Sequence, residues 1–329
     1  MQSFPATVQR PARDHGGNLS AAIAQYGGTM EGWLDLSTGI NPHAYPLGPL
    51  PARAFTALPD AGRLAALCAV ARSAYGVPDT AGILPAPGAQ ALIEALPKVL
   101  ARLPVSIASP TYNEHAATFR AHGFKVTETA TPTGPVRLVV NPNNPDGRRW
   151  GRDTLQAWLD EGAIVIVDES FADAEPGLSL ADLAGQERLI ILRSFGKFYG
   201  LAGLRLGFAL GEAGLIERLG RTFGLWAVSG PAIEAGITAL ADTAWQADMQ
   251  ARLADEAQAL HDLLISTGAE CIGQTPLFVT VAHDRAAALH KHLARQHIWT
   301  RVFPYAPNWL RLGLPGNAQG RLAAALASF

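Results

Sequence analysis

The stretch RSFGKFYGLAGLRLGF, residues 193–208, follows the apolar run Leu189–Leu192. It reads as a buried strand ending in a loop that presents Lys197 next to the hydroxyl of Ser194, with Arg205 further along. An ammonium leaving an apolar strand is costly to bury charged, so it either reaches water or is held for chemistry. Glycines at 196, 200, 203 and 207 crowd around it, as expected where backbone approaches a ligand closely. Taken alone, the pattern fits a solvated loop lysine equally well. The segments on either side decide between the two.

Outward from this loop, short apolar runs alternate with helical patterns from about residue 63 to 211. Strands are expected near Ile83–Leu84 and at 105–109, 125–129, 136–140, 163–169, 188–192 and 204–210, with helices at 113–122 and 152–160 between them. Val- and Ile-rich runs separated by helices point to an α/β fold, a mostly parallel sheet covered on both faces. In such sheets ligands sit beyond the carboxyl ends of the strands. There fall the loops SPTYN, NPNNPDG, DESF and SFGK.

Beyond about residue 244 the texture changes to a long helical pattern ending at Gly268, then strand-like segments around 276–282, 298–303 and 309–314. Helices are expected near 284–296 and 317–328, which makes a smaller α+β unit. The first 45 residues show no strand–helix repeat of their own. The expected division is therefore 46–243 as the large domain, with 1–45 and 244–329 as the small one.

A net charge of −2 and a pI near 6.5 give no sign of the clustered basic character of nucleic-acid or anionic-membrane binders. No segment approaches the roughly 18 apolar residues needed to span a bilayer. The polar, proline-broken opening MQSFPATVQRPARDHGG lacks the apolar core of a secretory signal. Cys68 and Cys271 lack metal-ligand spacing and suit a reducing compartment, so a cytoplasmic protein is expected. No HExxH pattern occurs, and His290 and His292 project to different sides of a helix; no metal is expected.

Asp168 ends the apolar run IVIVD, where a carboxylate needs a cationic or hydrogen-bonding partner. A Walker-B acid has the same look, but it requires a GxxxxGK[ST] loop that this chain lacks. The turn NPNNPDG can fix an asparagine, Tyr112 can stack on a planar ring, and PGAQ at 87–90 opens a helix whose N-terminus suits a phosphate. Each signal is common by itself. Their joint order is what discriminates.

That order, helix start, Tyr, Asn, Asp, Ser-x-x-Lys, Arg, resembles the aspartate-aminotransferase-like superfamily of pyridoxal-phosphate enzymes, from about residue 14 onward. The resemblance implies that Lys197 forms the Schiff base with the cofactor aldehyde and that Asp168 pairs with the pyridine nitrogen. It implies further that Asn144 donates to the ring 3′ oxygen and that Tyr112 stacks on the ring. Gly88, Ala89 and Gln90, with Ser194 and Arg205, would hold the cofactor phosphate. Arg311 matches the substrate-carboxylate arginine, a role that its bidentate fork suits.

Within the superfamily the chain is most similar to the histidinol-phosphate aminotransferases and the threonine-phosphate decarboxylases of cobalamin biosynthesis. HGGN at 15–18 and LSTGINPHAYPLG at 36–48 favour the second group. This implies decarboxylation of L-threonine O-3-phosphate, with His15, Asn18 or Asn41 on the substrate phosphate and Lys197 returning a proton to Cα. It also implies a homodimer. Transamination is the rival reading, with a cofactor-sensing regulator or an inactive scaffold behind it. Three residues depart from the common pattern. Phe171 stands where many relatives have tyrosine, Gly196 where a second serine is frequent, and Leu58 where a tyrosine reaches the neighbouring subunit.

Overall fold

The computed structural model of the chain describes residues 15–329. Most of the opening segment that lacks a secretory pattern therefore lies outside the described residues. Eight strands occur in the first two thirds: β1 (Leu34–Asp35), β2 (Ala81–Ala86), β3 (Val105–Ala108), β4 (Val126–Thr129), β5 (Val136–Val140), β6 (Ile164–Asp168), β7 (Leu189–Ser194) and β8 (Gly207–Glu212). Five follow: β9 (Glu270–Thr275), β10 (Phe278–Ala282), β11 (Ile298–Trp299), β12 (Arg301–Phe303) and β13 (Ala306–Gly313).

The main sheet has seven strands in the order β2-β8-β7-β6-β5-β3-β4. Strands β4, β3, β5, β6 and β7 pair in parallel, while β8 runs antiparallel to both its neighbours. The chain turns back through the Lys197 loop at the sheet edge instead of crossing a face, which reverses β8. Side chains alternate across each strand. Val165, Val167 and Ile191 consequently feed one core cluster, while Ile166, Ile190 and Leu192 feed the other. Helix Ala89–Val99 covers the second face with Leu92, Ile93 and Leu96. Helices Ala61–Tyr75 and Gly230–Ala241 pack on the first through Leu67 and Ile233. Each such side chain contributes roughly 1.5–3 kcal/mol on burial.

A second, four-stranded sheet has the order β12-β13-β10-β9, and β1 pairs in parallel with β11. Two details depart from the sequence reading. The expected strand 298–303 is broken at the buried Thr300, whose hydroxyl bonds His290 Nδ1 at 2.7 Å, so its halves join different sheets. Strand β9 was not expected; its residues are mostly half-buried and show no clean apolar alternation. The first 45 residues also carry structure of their own, the helix Leu19–Tyr26 and β1. Among the described residues no helix is long and apolar enough to cross a membrane, and no group of His, Cys, Asp and Glu could hold a metal.

Candidate active site

The loops that leave β2, β3, β5, β6 and β7 meet at one edge of the main sheet. Asp168 is the last residue of β6 and is buried. One carboxylate oxygen accepts from His115 Nε2 at 2.8 Å; the other accepts the Ser170 backbone N–H at 3.0 Å and the Ser170 hydroxyl. Burial pushes this carboxyl up, but the His115 bond and the Ser170 bonds outweigh it, and the net shift is below the usual carboxylate range. Asp168 is therefore built to stay ionised. His115 is itself fully buried, and its Nδ1 has no partner.

Lys197 lies in the short helical turn Phe195–Phe198 that follows β7. Desolvation lowers its ammonium to about 8; the charges of Arg311 and Arg205 reinforce the shift and Asp168 opposes it. A lysine in that range gives and takes a proton near neutrality. The turn is pressed against the next one: a Cβ added at Gly196 would lie 2.7 Å from Ala202 Cα. The glycine at this departure from the common pattern is thus a steric requirement of this loop.

Helix Ala89–Val99 begins at Gly88, whose φ of 86° suits glycine, and a Cβ there would come within 2.6 Å of Arg205 Nη2. The guanidinium accordingly lies beside a helix N-terminus, with Ala89, Gln90, Ser194 and Arg205 lining one cavity together with Asp168 and Lys197. Unsatisfied N–H groups beside a guanidinium make a cradle for a phosphate. The Gln90 side chain is engaged elsewhere: Nε2 donates to Glu94 and Glu114, and Oε1 accepts from the Tyr112 hydroxyl at 3.2 Å. What Gln90 offers the cavity is its backbone N–H.

A second cavity adjoins the first and shares Tyr112, Asn144, Phe171 and Lys197 with it. Its other walls include His15, Arg301 and Arg311. Arg311, on β13, is buried; Nη2 donates to the Ser37 carbonyl at 2.7 Å, Nη1 donates to Asn144 Oδ1, and Nε has no acceptor. No carboxylate pairs with it among the described residues. Burial and the nearby Arg301 bring it down to about 10. A buried guanidinium held only by neutral oxygens is costly unless an anion completes it.

His15 reaches the second cavity and places Nε2 2.8 Å from Glu114 Oε1. Asn18 and Asn41 do not line it, contrary to the expectation that they meet the substrate phosphate. Asn18 caps helix Leu19–Tyr26 by accepting from the Ala21 N–H at 3.3 Å. Asn41 is buried, donating to the Phe198 carbonyl at 2.7 Å and accepting from the His43 N–H at 2.8 Å. It ties the N-terminal segment to the Lys197 turn instead. Leu58 is largely exposed and lies away from both cavities, beside Ala54 and Ile233. Sequence reasoning missed His115, Ser170 and Arg301. Only His115 had a usable signal, a position three beyond Tyr112 on the same helical face.

The family description "Aminotransferase class I and II" matches residues 61–329. The chain belongs to that family. Its cofactor is pyridoxal 5′-phosphate, and the first cavity fits that group in its donor set: a phosphate cradle, an ionised buried acid and a lysine lowered in pKa. This aminotransferase-family chain is 43% identical to a threonine-phosphate decarboxylase of Sinorhizobium sp, over 95% of its own length and 97% of that protein. A threonine-phosphate decarboxylase of Pseudomonas aeruginosa is 42% identical, over 96% and 98% of the two chains. In fold it matches the histidinol-phosphate aminotransferase of Sinorhizobium meliloti solved with pyridoxal-5′-phosphate, with TM-score 0.78, 18% identity and 99% of each chain covered.

Proposed function

We propose that this chain decarboxylates L-threonine O-3-phosphate to (R)-1-aminopropan-2-yl phosphate, the aminopropanol arm of cobalamin. The observation that carries the reading is the second cavity, where Arg311 has no acidic partner and Arg301 stands opposite it on the paired strand β12. Two guanidiniums in one chamber suit a small substrate with two anionic groups, a carboxylate and a phosphate. The near-full-length similarity to two threonine-phosphate decarboxylases supports the same substrate.

Bound in the first cavity, pyridoxal phosphate supplies an electron sink for bond cleavage at the amino-bearing carbon. Lys197 would hold it covalently through Nζ, and Ala89, Gln90, Ser194 and Arg205 would bind its phosphate. Asp168, kept charged by His115 and Ser170, would pair with the ring nitrogen. Tyr112 would pack on the ring and Asn144 would bond its 3′ oxygen, while its Oδ1 accepts from Arg311. Arg311 fixes the substrate carboxylate, and Arg301 and His15 take its phosphate. After carbon dioxide leaves, Lys197 Nζ returns one proton to Cα. A carboxylate gripped too tightly would be stabilised before the reaction, so phosphate contacts must carry much of the binding. We place this chemistry in a cytoplasmic homodimer, in keeping with the family resemblance and the free Cys68 and Cys271.

Incubation of the holoprotein with threonine phosphate and, separately, with histidinol phosphate is the test. Release of CO₂ with the amine retained on threonine phosphate supports the reading. A keto product with pyridoxamine phosphate would overturn it in favour of transamination.

A further inference from the structure

The two cavities meet at an aromatic wall. The Phe171 ring lines both, and Phe278 stands behind it, edge-on, with centroids 5.3 Å apart and an interplanar angle of 82°. Lys197 Nζ lies 5.8 Å from the Phe171 centroid, and the Arg311 guanidinium carbon lies 5.1 Å from the Phe278 centroid. The two cations thus flank an edge-to-face pair of aromatic rings. Gly39 completes the surface: a Cβ there would come within 2.9 Å of Phe171 and 3.0 Å of Phe278, so no polar side chain can enter at that point.

We propose that Phe171, backed by Phe278 and Gly39, is a specificity-determining residue that holds the substrate carboxylate against a surface with no side-chain donor and thereby favours its loss. The inference rests on the decarboxylase reading above. A substrate whose amino nitrogen is at Lys197 and whose carboxylate is on Arg311 must run along these rings. Arg311 already donates to Asn144 and Ser37, and the wall adds no further donor. The side of the carboxylate turned from Arg311 to the rings is poorly solvated, whereas neutral carbon dioxide loses nothing by that contact. The bond from Cα to the carboxylate breaks, its electron pair stays with Cα, carbon dioxide departs, and one proton from Lys197 Nζ replaces it. The wall disfavours the full charge of the ground-state carboxylate more than the dispersed charge of the transition state, which is the condition for raising the rate.

Phe171→Met and Phe171→Gln both remove the ring and match each other in length, differing in one amide. Their comparison therefore isolates polarity from packing. The expected outcome is a kcat on threonine phosphate about tenfold lower for Gln than for Met. Threonine phosphate should also bind the borohydride-reduced Gln variant as tightly as the Met variant or more so, by calorimetry, because the amide can donate to the carboxylate. Equal kcat values, or weaker binding to the Gln variant, would overturn the proposal. Wild-type protein is assayed alongside: absence of CO₂ release there contradicts the decarboxylase reading itself, whereas CO₂ release by wild type with equal variants contradicts only the wall. Unfolding of both variants is followed in parallel, so that a lost fold is distinguished from a lowered kcat.

Discussion

Two buried arginines of this chain are held in opposite ways. Arg193, on the far face of β7, has Nη1 2.6 Å from Glu169 Oε2 and Nη2 on Asp173, with its guanidinium 4.4 Å from the Tyr75 ring centroid. Arg311, in the substrate cavity, meets only the neutral oxygens of Ser37 and Asn144. Burial disfavours the charge of both. At Arg193 the two carboxylates more than offset it and raise the pKa, whereas Arg311 falls to about 10. A cation whose charge is already matched belongs to the architecture. One left unmatched at the wall of a cavity is waiting for an anion.

The largest effect that separates them is on stability. Arg193→Met leaves Glu169 and Asp173 buried without a cation, and the unfolding free energy measured in denaturant should fall by about 3–5 kcal/mol. A loss below about 1 kcal/mol, the range of an exposed pair, would erase the distinction. Arg311→Met should leave stability unchanged or improved, since it removes an uncompensated charge. Its cost is on binding: affinity for threonine phosphate should weaken by about 2–5 kcal/mol, roughly 30-fold to several thousand-fold.

A third, smaller effect is read at Lys197. In the cofactor-free protein its modification by an amine reagent should rise with pH around a midpoint of about 8. Because folding lowers this pKa, the charged lysine opposes the fold fully below that midpoint. The penalty fades as pH climbs toward the ordinary lysine value, so stability from this group increases across that window. Arg311→Met removes a charge that depresses Lys197 and should move the midpoint upward, while Arg193→Met should leave it in place. The smallest effect is on thermal unfolding. Threonine phosphate at ten times its Kd should stabilise the cofactor-free wild type by about 1.4 kcal/mol, and the same concentration should not stabilise Arg311→Met.

The contrast also explains what the sequence could convey. Strands β5 to β7 were legible because their Val and Ile runs are buried on both faces. Asp168 and Lys197 were legible because ionisable groups at the ends of such runs have few bland explanations. Arg193 and Arg311 look alike in sequence, each following a leucine in a strand, since the carboxylates that distinguish them come from a distant loop. The helix cap of Asn18 and the loop tether of Asn41 were not legible for a related reason: a side chain that caps a helix or tethers a loop has the same composition as one that binds phosphate. His115 was passed over because its spacing from Tyr112 marks a shared helical face but names no partner until the fold brings Asp168 to it. Strand β9 lacked the alternation that marks a half-buried strand.

The central claim is that Lys197 carries the cofactor. Borohydride reduction of the holoprotein, followed by proteolysis and mass mapping, tests it most directly. The expected result is a pyridoxyl group on the peptide containing Lys197 and on no other. Label on Lys98, Lys125 or Lys291, or no label at all, would contradict the account.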